Sequence, residues 1–156
     1  SSISQELAQG MKPQGARLHI LSSRPGNLEL PTLFSSWSEG IETGIIEQFD
    51  IGIMPLPSTD FARGKCGLKI LQYMAAGVPV VASAVGVNQT IIEHGVNGML
   101  VKDPADWTDT VRRLLSSRDL RESIGRAGRK TVENSYSTDI WGPKLVALYR
   151  DLASSN

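Results

Sequence analysis

The stretch from Arg63 through Gly64, Lys65, Cys66, Gly67, Leu68 and Lys69 to Gly77, Pro79 and Ser83 constrains the fold more than any other. It reads as a glycine-bearing loop, a helix and a buried strand in immediate succession. Leu68, Leu71, Met74 and Ala75 recur at three- and four-residue steps and predict one apolar helix face, and Gly77 followed by Pro79 stops the helix. Val78 to Ala82 is a short apolar run rich in β-branched residues, the pattern of a parallel strand covered on both faces. A loop that opens a helix leaves backbone N–H groups unpaired, and the helix dipole adds partial positive charge there. Such a terminus binds phosphate, and Lys65 and Lys69 add two cations at its entrance. The plainer reading of the same loop is an ordinary solvated surface, and Lys69, one turn into the helix, suits solvent nearly as well as phosphate.

With 156 residues and 40% hydrophobic content, the chain has the size of one domain that buries roughly 70% of its unfolded surface. Sixteen basic and sixteen acidic residues cancel, so the positive field of a duplex binder is missing and nucleic acid is not expected as a partner. No apolar run approaches the length of a bilayer, and the first residues lack the pattern of a signal peptide, so a cytoplasmic location is expected. The single cysteine, Cys66, cannot form an internal disulfide and is expected to be a small packing residue.

An opening helix is expected over Ile3 to Met11, then a strand over Ala16 to Leu21 and a turn at Arg24-Pro25-Gly26. Leu28 to Phe34 reads as a weaker strand. Ser38 fits an N-cap for a helix running towards Gln48, although Gly40 and Gly44 weaken it. Asp50 to Leu56 is a clearer buried strand, Asn88 to His94 a short helix closed by Gly95, and Gly98 to Lys102 a further strand. Asp103-Pro104 opens a helical tail in which Trp107, Val111, Leu114 and Leu115 share a face, and helices over Leu120 to Asn134 and Thr138 to Leu152 follow. Strands alternating with helices imply an α/β fold, a Rossmann-like doubly wound parallel sheet with C-terminal helices.

His19 and His94 lack a second ligand at metal spacing, so no metal is expected. Phe34 and Trp37 suit the core better than a nucleobase, and Trp107 and Trp141 suit helix packing. Gly86 would let backbone approach a ligand, and Asn88 suits either a bond to that ligand or, more simply, a helix cap. No Ser-His-Asp set or carboxylate pair reads as a catalytic centre.

From about Phe49 to Leu152 these motifs resemble the C-terminal, donor-binding domain of retaining glycosyltransferases of the two-domain GT-B fold, the family-four group also described as glycosyl transferases group 1. The resemblance is carried by Asp50 to Leu56, by Ala75-Ala76-Gly77-Val78-Pro79-Val80-Val81-Ala82-Ser83, by Val85-Gly86-Val87-Asn88, by Ile91 to Val101, and by Leu120 to Arg129 with Tyr136-Ser137. It implies transfer of a sugar from a UDP-, GDP- or ADP-sugar to an acceptor it does not identify, in the synthesis of a polysaccharide or related glycan. No separate cofactor and no metal are implied. The donor-binding residues it implies are Gly64, Lys65, Cys66, Gly67, Leu68, Lys69, Gln72, Gly86 and Asn88.

Relatives carry two glutamates in the central segment, one near the donor sugar and one on the ribose hydroxyls. They fall here at Gly64, or Lys65 if the loop shifts, and at Gln72, so both acids are absent. An amide at Gln72 can still bond a ribose. The loss motivates an alternative: a degenerate, noncatalytic sugar-nucleotide-binding or interaction domain. Relatives also begin this domain with a strand and a basic loop before the first helix. The expectation is therefore one domain over residues 1–156, with an acceptor-binding N-terminal domain and the first strand lying outside it. Catalysis, and any peripheral membrane contact, would need that other domain.

Overall fold

The computed structural model describes residues 3–24 and 31–154. In chain order these form α1 (Ile3–Met11), β1 (Leu18–Ser22), β2 (Thr32–Ser36), α2 (Glu42–Ile46), β3 (Gly52–Met54), α3 (Asp60–Arg63), α4 (Leu68–Ala75), β4 (Val80–Ser83), α5 (Asn88–Ile91), β5 (Met99–Val101), α6 (Asp106–Leu115), α7 (Arg118–Ser135) and α8 (Thr138–Ser154). All strand pairs are parallel. β1 pairs with β2, and β3 with β4 and β4 with β5, in registers that include Leu18↔Thr32, Gly52↔Val80 and Val81↔Met99. The α/β class, parallel sheets and C-terminal helices expected from the sequence are present.

Strand β4 shows why the Val-rich run folds as it does. Successive side chains point to opposite faces. Val81 packs with Met99, Val101, Trp107, Leu114 and Ile124 on one side, whereas Val80 and Ala82 pack with Ile70, Met74, Ile91 and Ile92 on the other. Every residue of β4 is buried. Trp107, only 1% exposed, anchors the first cluster as expected. The packing of α1 on α6 in that cluster is reinforced by chemistry: Thr108 Oγ1 on α6 shares its proton between the backbone oxygen and the carboxylate of Glu6 on α1, at 2.8 and 2.7 Å.

Several boundaries differ from expectation. The helix predicted from Ser38 is the short α2, which begins after Ile41 and has no side-chain cap; Gly40 and Gly44 make a longer helix costly. The weak strand lies at Thr32–Ser36 rather than Leu28 to Phe34, and its predicted start and the turn at Pro25-Gly26 fall outside the described residues. Phe34 and Trp37 are exposed rather than core, because among the described residues β2 has only β1 beside it. Trp141 is also exposed; its indole N–H donates to Ser135 O at 2.7 Å. No residue of α8 is buried, and Trp141, Leu145, Leu148 and Leu152 form an uncovered stripe on it. No helix of the described residues is long and apolar enough to cross a membrane.

The parallel strands form two sheets rather than one. Between them lies a cavity of about 370 Å³ lined by Leu18 and His19 from β1 and by Ile51 and Ile53 around β3, with Met11 and Val111 from the flanking helices. Ring contacts bridge its rim: His19 meets Phe49 edge-on at 5.2 Å, and Phe49 lies 6.4 Å from Tyr73.

Candidate functional site

Parallel strands bring their carboxyl ends to one side, and in open α/β sheets ligands bind in the crevice there. Here the loops leaving β3 and β4 converge on the start of α4. Leu56 N donates to Ser83 Oγ at 2.9 Å, which ties the exit of β3 to the last residue of β4. The loop then makes the single turn α3, capped by Thr59, whose Oγ1 accepts from Ala62 N at 3.2 Å. Gly67 precedes α4 with φ 72°, and its amide unit turns the chain into the helix. A Cβ there would stand 2.6 Å from Ile91 Cδ1 of α5, so the loop lies directly on α5. The interior amides of α4 bond along the helix from Ile70 onward, whereas its first N–H groups have no carbonyl a turn earlier to bond.

Around this terminus Gly64, Lys65 and Cys66 are exposed and Gly67 is buried. Cys66 is thus a surface thiol, not the packing residue expected. The loop's inward position is taken by Gly67, against Val87 and Ile91, and Cys66 beside it faces outward. Lys65 Nζ sits 5.5 Å from the centroid of the exposed Phe61 ring. At Gly64 the nearest atom to an added Cβ is Phe61 O at 3.7 Å, an ordinary van der Waals contact, so a side chain would fit there. Leu68 is 57% exposed, and Ala75 is exposed too; the buried face of α4 is set by Ile70 and Met74 instead.

Gly86 and Asn88 lie close by, and both are held by contacts within the protein. Gly86 has φ 56°, and a Cβ on it would be 2.6 Å from Arg63 O, so its close approach is to the α3 backbone. Asn88 is 1% exposed, and its Nδ2 donates to Ser83 O at 2.9 Å. It does not cap α5, whose N-cap is Val87 in the right-handed helical region without a side-chain bond. Gly86 thus seats the loop after β4 on α3, and Asn88 ties that loop back to the end of β4.

The sequence pattern missed Glu42. Its Oε1 forms an ion pair with Lys69 Nζ, and its Oε2 accepts from Gln72 Nε2 at 3.3 Å. The Trp37 side chain donates to the same carboxylate. The Lys69 bond foremost, with Trp37 and Gln72 helping and burial opposing, holds Glu42 below the ordinary carboxylate value. The Glu42 side chain is only 14% exposed although α2 is five residues long. Tyr73 behind it is pushed up by burial and by the Glu42 charge. Lys69 and Gln72, two of the expected donor-site residues, therefore converge on an acid from another element. Gln72 Oε1 is buried without a partner among the described residues.

Comparison with known proteins fits this layout. Residues 11–117 match the family model described as Glycosyl transferases group 1. A D-inositol 3-phosphate glycosyltransferase of Geodermatophilus obscurus is 35% identical over 102 residues, which are 64% of this chain and 21% of that protein. The C-terminal domain of LpcC, a glycosyl transferase group 1 family protein of Francisella tularensis, matches 70% of this chain and 56% of its own at 26% identity and a TM-score of 0.58. HepE of Anabaena, solved in complex with UDP and glucose, shares the fold at 16% identity, with a TM-score of 0.76 over 96% of this chain and 44% of its own. The chain spans about a fifth of the length of the curated relatives it matches.

Proposed function

Because the chain belongs to the glycosyl transferases group 1 family, we propose that it forms the half of a retaining glycosyltransferase that binds the nucleotide-diphosphate sugar, for transfer to a glycan, lipid or small-molecule acceptor. One observation carries the reading: the entrance of α4 opens at the carboxyl ends of β3 and β4 behind the left-handed Gly67, with Lys65 and Lys69 beside it. Backbone amides and lysine charge together suit a diphosphate. The complex of HepE with UDP and glucose supports the ligand class. In this reading the bond from the sugar to the diphosphate oxygen breaks as the acceptor oxygen bonds the sugar, the amides of Leu68 and Lys69 stabilise the negative charge that develops on the departing nucleoside diphosphate, and the second domain positions the acceptor.

Ligand-observed NMR with UDP, GDP and ADP and their hexose conjugates tests the reading. One base is expected to bind selectively, and Lys65→Ala to weaken it about fivefold, the effect of losing one exposed charge contact. Binding of none of them by a chain with an intact thermal transition would sink the donor site. Sugar transfer by the longer protein would in turn sink the noncatalytic alternative that the missing acids at Gly64 and Gln72 motivate.

The same reading gives the cavity between the sheets a role. β1 and β3 each have one unpaired edge there among the described residues, and parallel strands need a crossover such as a helix. We infer that one more parallel strand, leading into α1, seats between β1 and β3, so that strand, α1 and β1 make a complete βαβ unit. A polypeptide extended upstream of residue 1 by its own coding sequence is expected to show slower amide exchange in both β1 and β3 and a higher melting temperature. Unchanged exchange at those two edges would refute the seat.

A further inference from the structure

We propose that Glu42 is the residue that receives the vicinal hydroxyls of the nucleotide's ribose. The inference rests on the donor-binding reading above and names the group that reads the sugar of the nucleotide. The argument begins with what a ligand could bring to this place. An ionised carboxylate is an acceptor only, with about four lone-pair sites. Lys69, Gln72 and Trp37 together occupy up to three of these sites. The remaining capacity takes a donor. The adjacent Lys69 charge disfavours a cationic ligand, and the carboxylate itself disfavours an anionic one, which leaves neutral hydroxyls.

Position selects which hydroxyls. Lys69 and Gln72 are the second and fifth residues of α4, so the carboxylate they hold lies alongside the first turn and a half of the helix, roughly 2 to 6 Å along its axis from the entrance. A diphosphate at the entrance would carry its ribose into that space.

The surroundings of Glu42 are more elaborate than a surface ion pair. Lys69 is half-exposed, and an exposed pair of this kind contributes little to stability. Yet three side chains converge on a carboxylate that is largely buried, and one of them, Gln72, leaves its own Oε1 without a donor. Turning the Gln72 amide over would set that oxygen against the Glu42 carboxylate, so its orientation is fixed by the acid. A hydroxyl entering between α2 and α4 would supply the missing donor. Glu42 thus gives the site the negative acceptor that Gln72 itself lacks, from a different element of the fold.

The test compares UDP, GDP and ADP with the 2′,3′-dideoxy form of whichever binds, using inorganic pyrophosphate as a phosphate-only probe. The ribonucleotide is expected to bind at least about tenfold more tightly than its dideoxy form, the effect of losing a hydrogen bond to a charged group. Glu42→Gln is expected to remove that preference by weakening the ribonucleotide alone, leaving the dideoxy form and pyrophosphate unchanged. If Glu42→Gln does not fold, Glu42→Asp, which keeps the charge but withdraws it, is expected to collapse the same ratio. A preference that survives substitution, or an equal loss for ribo and dideoxy forms, would overturn the role of Glu42 while leaving the donor site standing. Binding of pyrophosphate but no nucleotide would overturn both.

Discussion

Gly125→Ala is expected to lower the melting temperature by about 5 to 10 °C, a loss of roughly 2 to 3 kcal/mol in a domain of this size. Intrinsic propensity alone argues the other way, since alanine in a helix interior is favoured over glycine by about 1 kcal/mol. Packing decides the sign. Gly125 lies in α7 where that helix crosses the end of α4, and a Cβ would stand 2.0 Å from Gly77 O and 3.0 Å from Gly77 C. Those are backbone atoms at a left-handed turn, with φ 72° at Gly77, and they cannot rotate aside as a side-chain tip would. Accommodation requires α7 to move off α4, which opens the layer formed by Met74 and Gly128, themselves in close approach. Gly44→Ala in α2 is the matched control: nothing lies within 4 Å of the added Cβ, so the propensity gain of about 0.5 to 1 kcal/mol should stand. Differential scanning calorimetry of the two variants measures both signs. A Gly125→Ala protein as stable as the unmodified chain would mean that α7 is not seated on α4 in this way.

The parts of this fold legible in the sequence are those whose signal is local. Val78 to Ala82 announces β4 because a strand buried on both faces must be apolar at every position, and the structure buries all of Val80–Ser83. Trp107, Val111 and Leu114 announce α6 for the same reason at helical spacing. What failed depends on contacts that residue type and periodicity do not encode. Leu68 opens the predicted apolar face of α4 yet is exposed, because α7 and β4 lie on the side of Ile70 and Met74. Asn88 is a good cap by type, but Val87 has helical dihedrals and the carbonyl of Ser83 claims the Asn88 amide. Glu42 could not be found by pattern at all. It sits in a five-residue helix among glycines, and its two partners on α4 lie 27 and 30 residues further along. The one usable clue was the proximity of Trp37 to an acid just before a buried strand. Periodicity has no means of weighing it.

Gly86→Ala is expected to weaken nucleotide binding by more than about tenfold while lowering stability less than Gly125→Ala does, since two costs fall on the ligand loop rather than on the core. The first is conformational: φ 56° is unfavourable for alanine by about 1 to 2 kcal/mol. The second is steric, because the added Cβ would lie 2.6 Å from Arg63 O and 3.0 Å from Arg63 Cα. Arg63 is the last residue of α3, so relieving the clash shifts Gly64 to Gly67, the segment that carries Lys65 and sets the direction in which α4 presents its first amides. A displacement of even 1 Å there separates diphosphate from donors that must reach within about 3 Å. Gly95→Ala separates the two costs. Gly95 has φ 79° but nothing within 4 Å of an added Cβ, and it stands at the amino end of β5, away from the site. It should therefore lose a similar conformational increment in a thermal melt while leaving nucleotide affinity unchanged. Equal affinity in the Gly86 and Gly95 variants would show that the Arg63 to Gly67 loop does not hold the phosphates, and the donor site would have to lie elsewhere on the sheet.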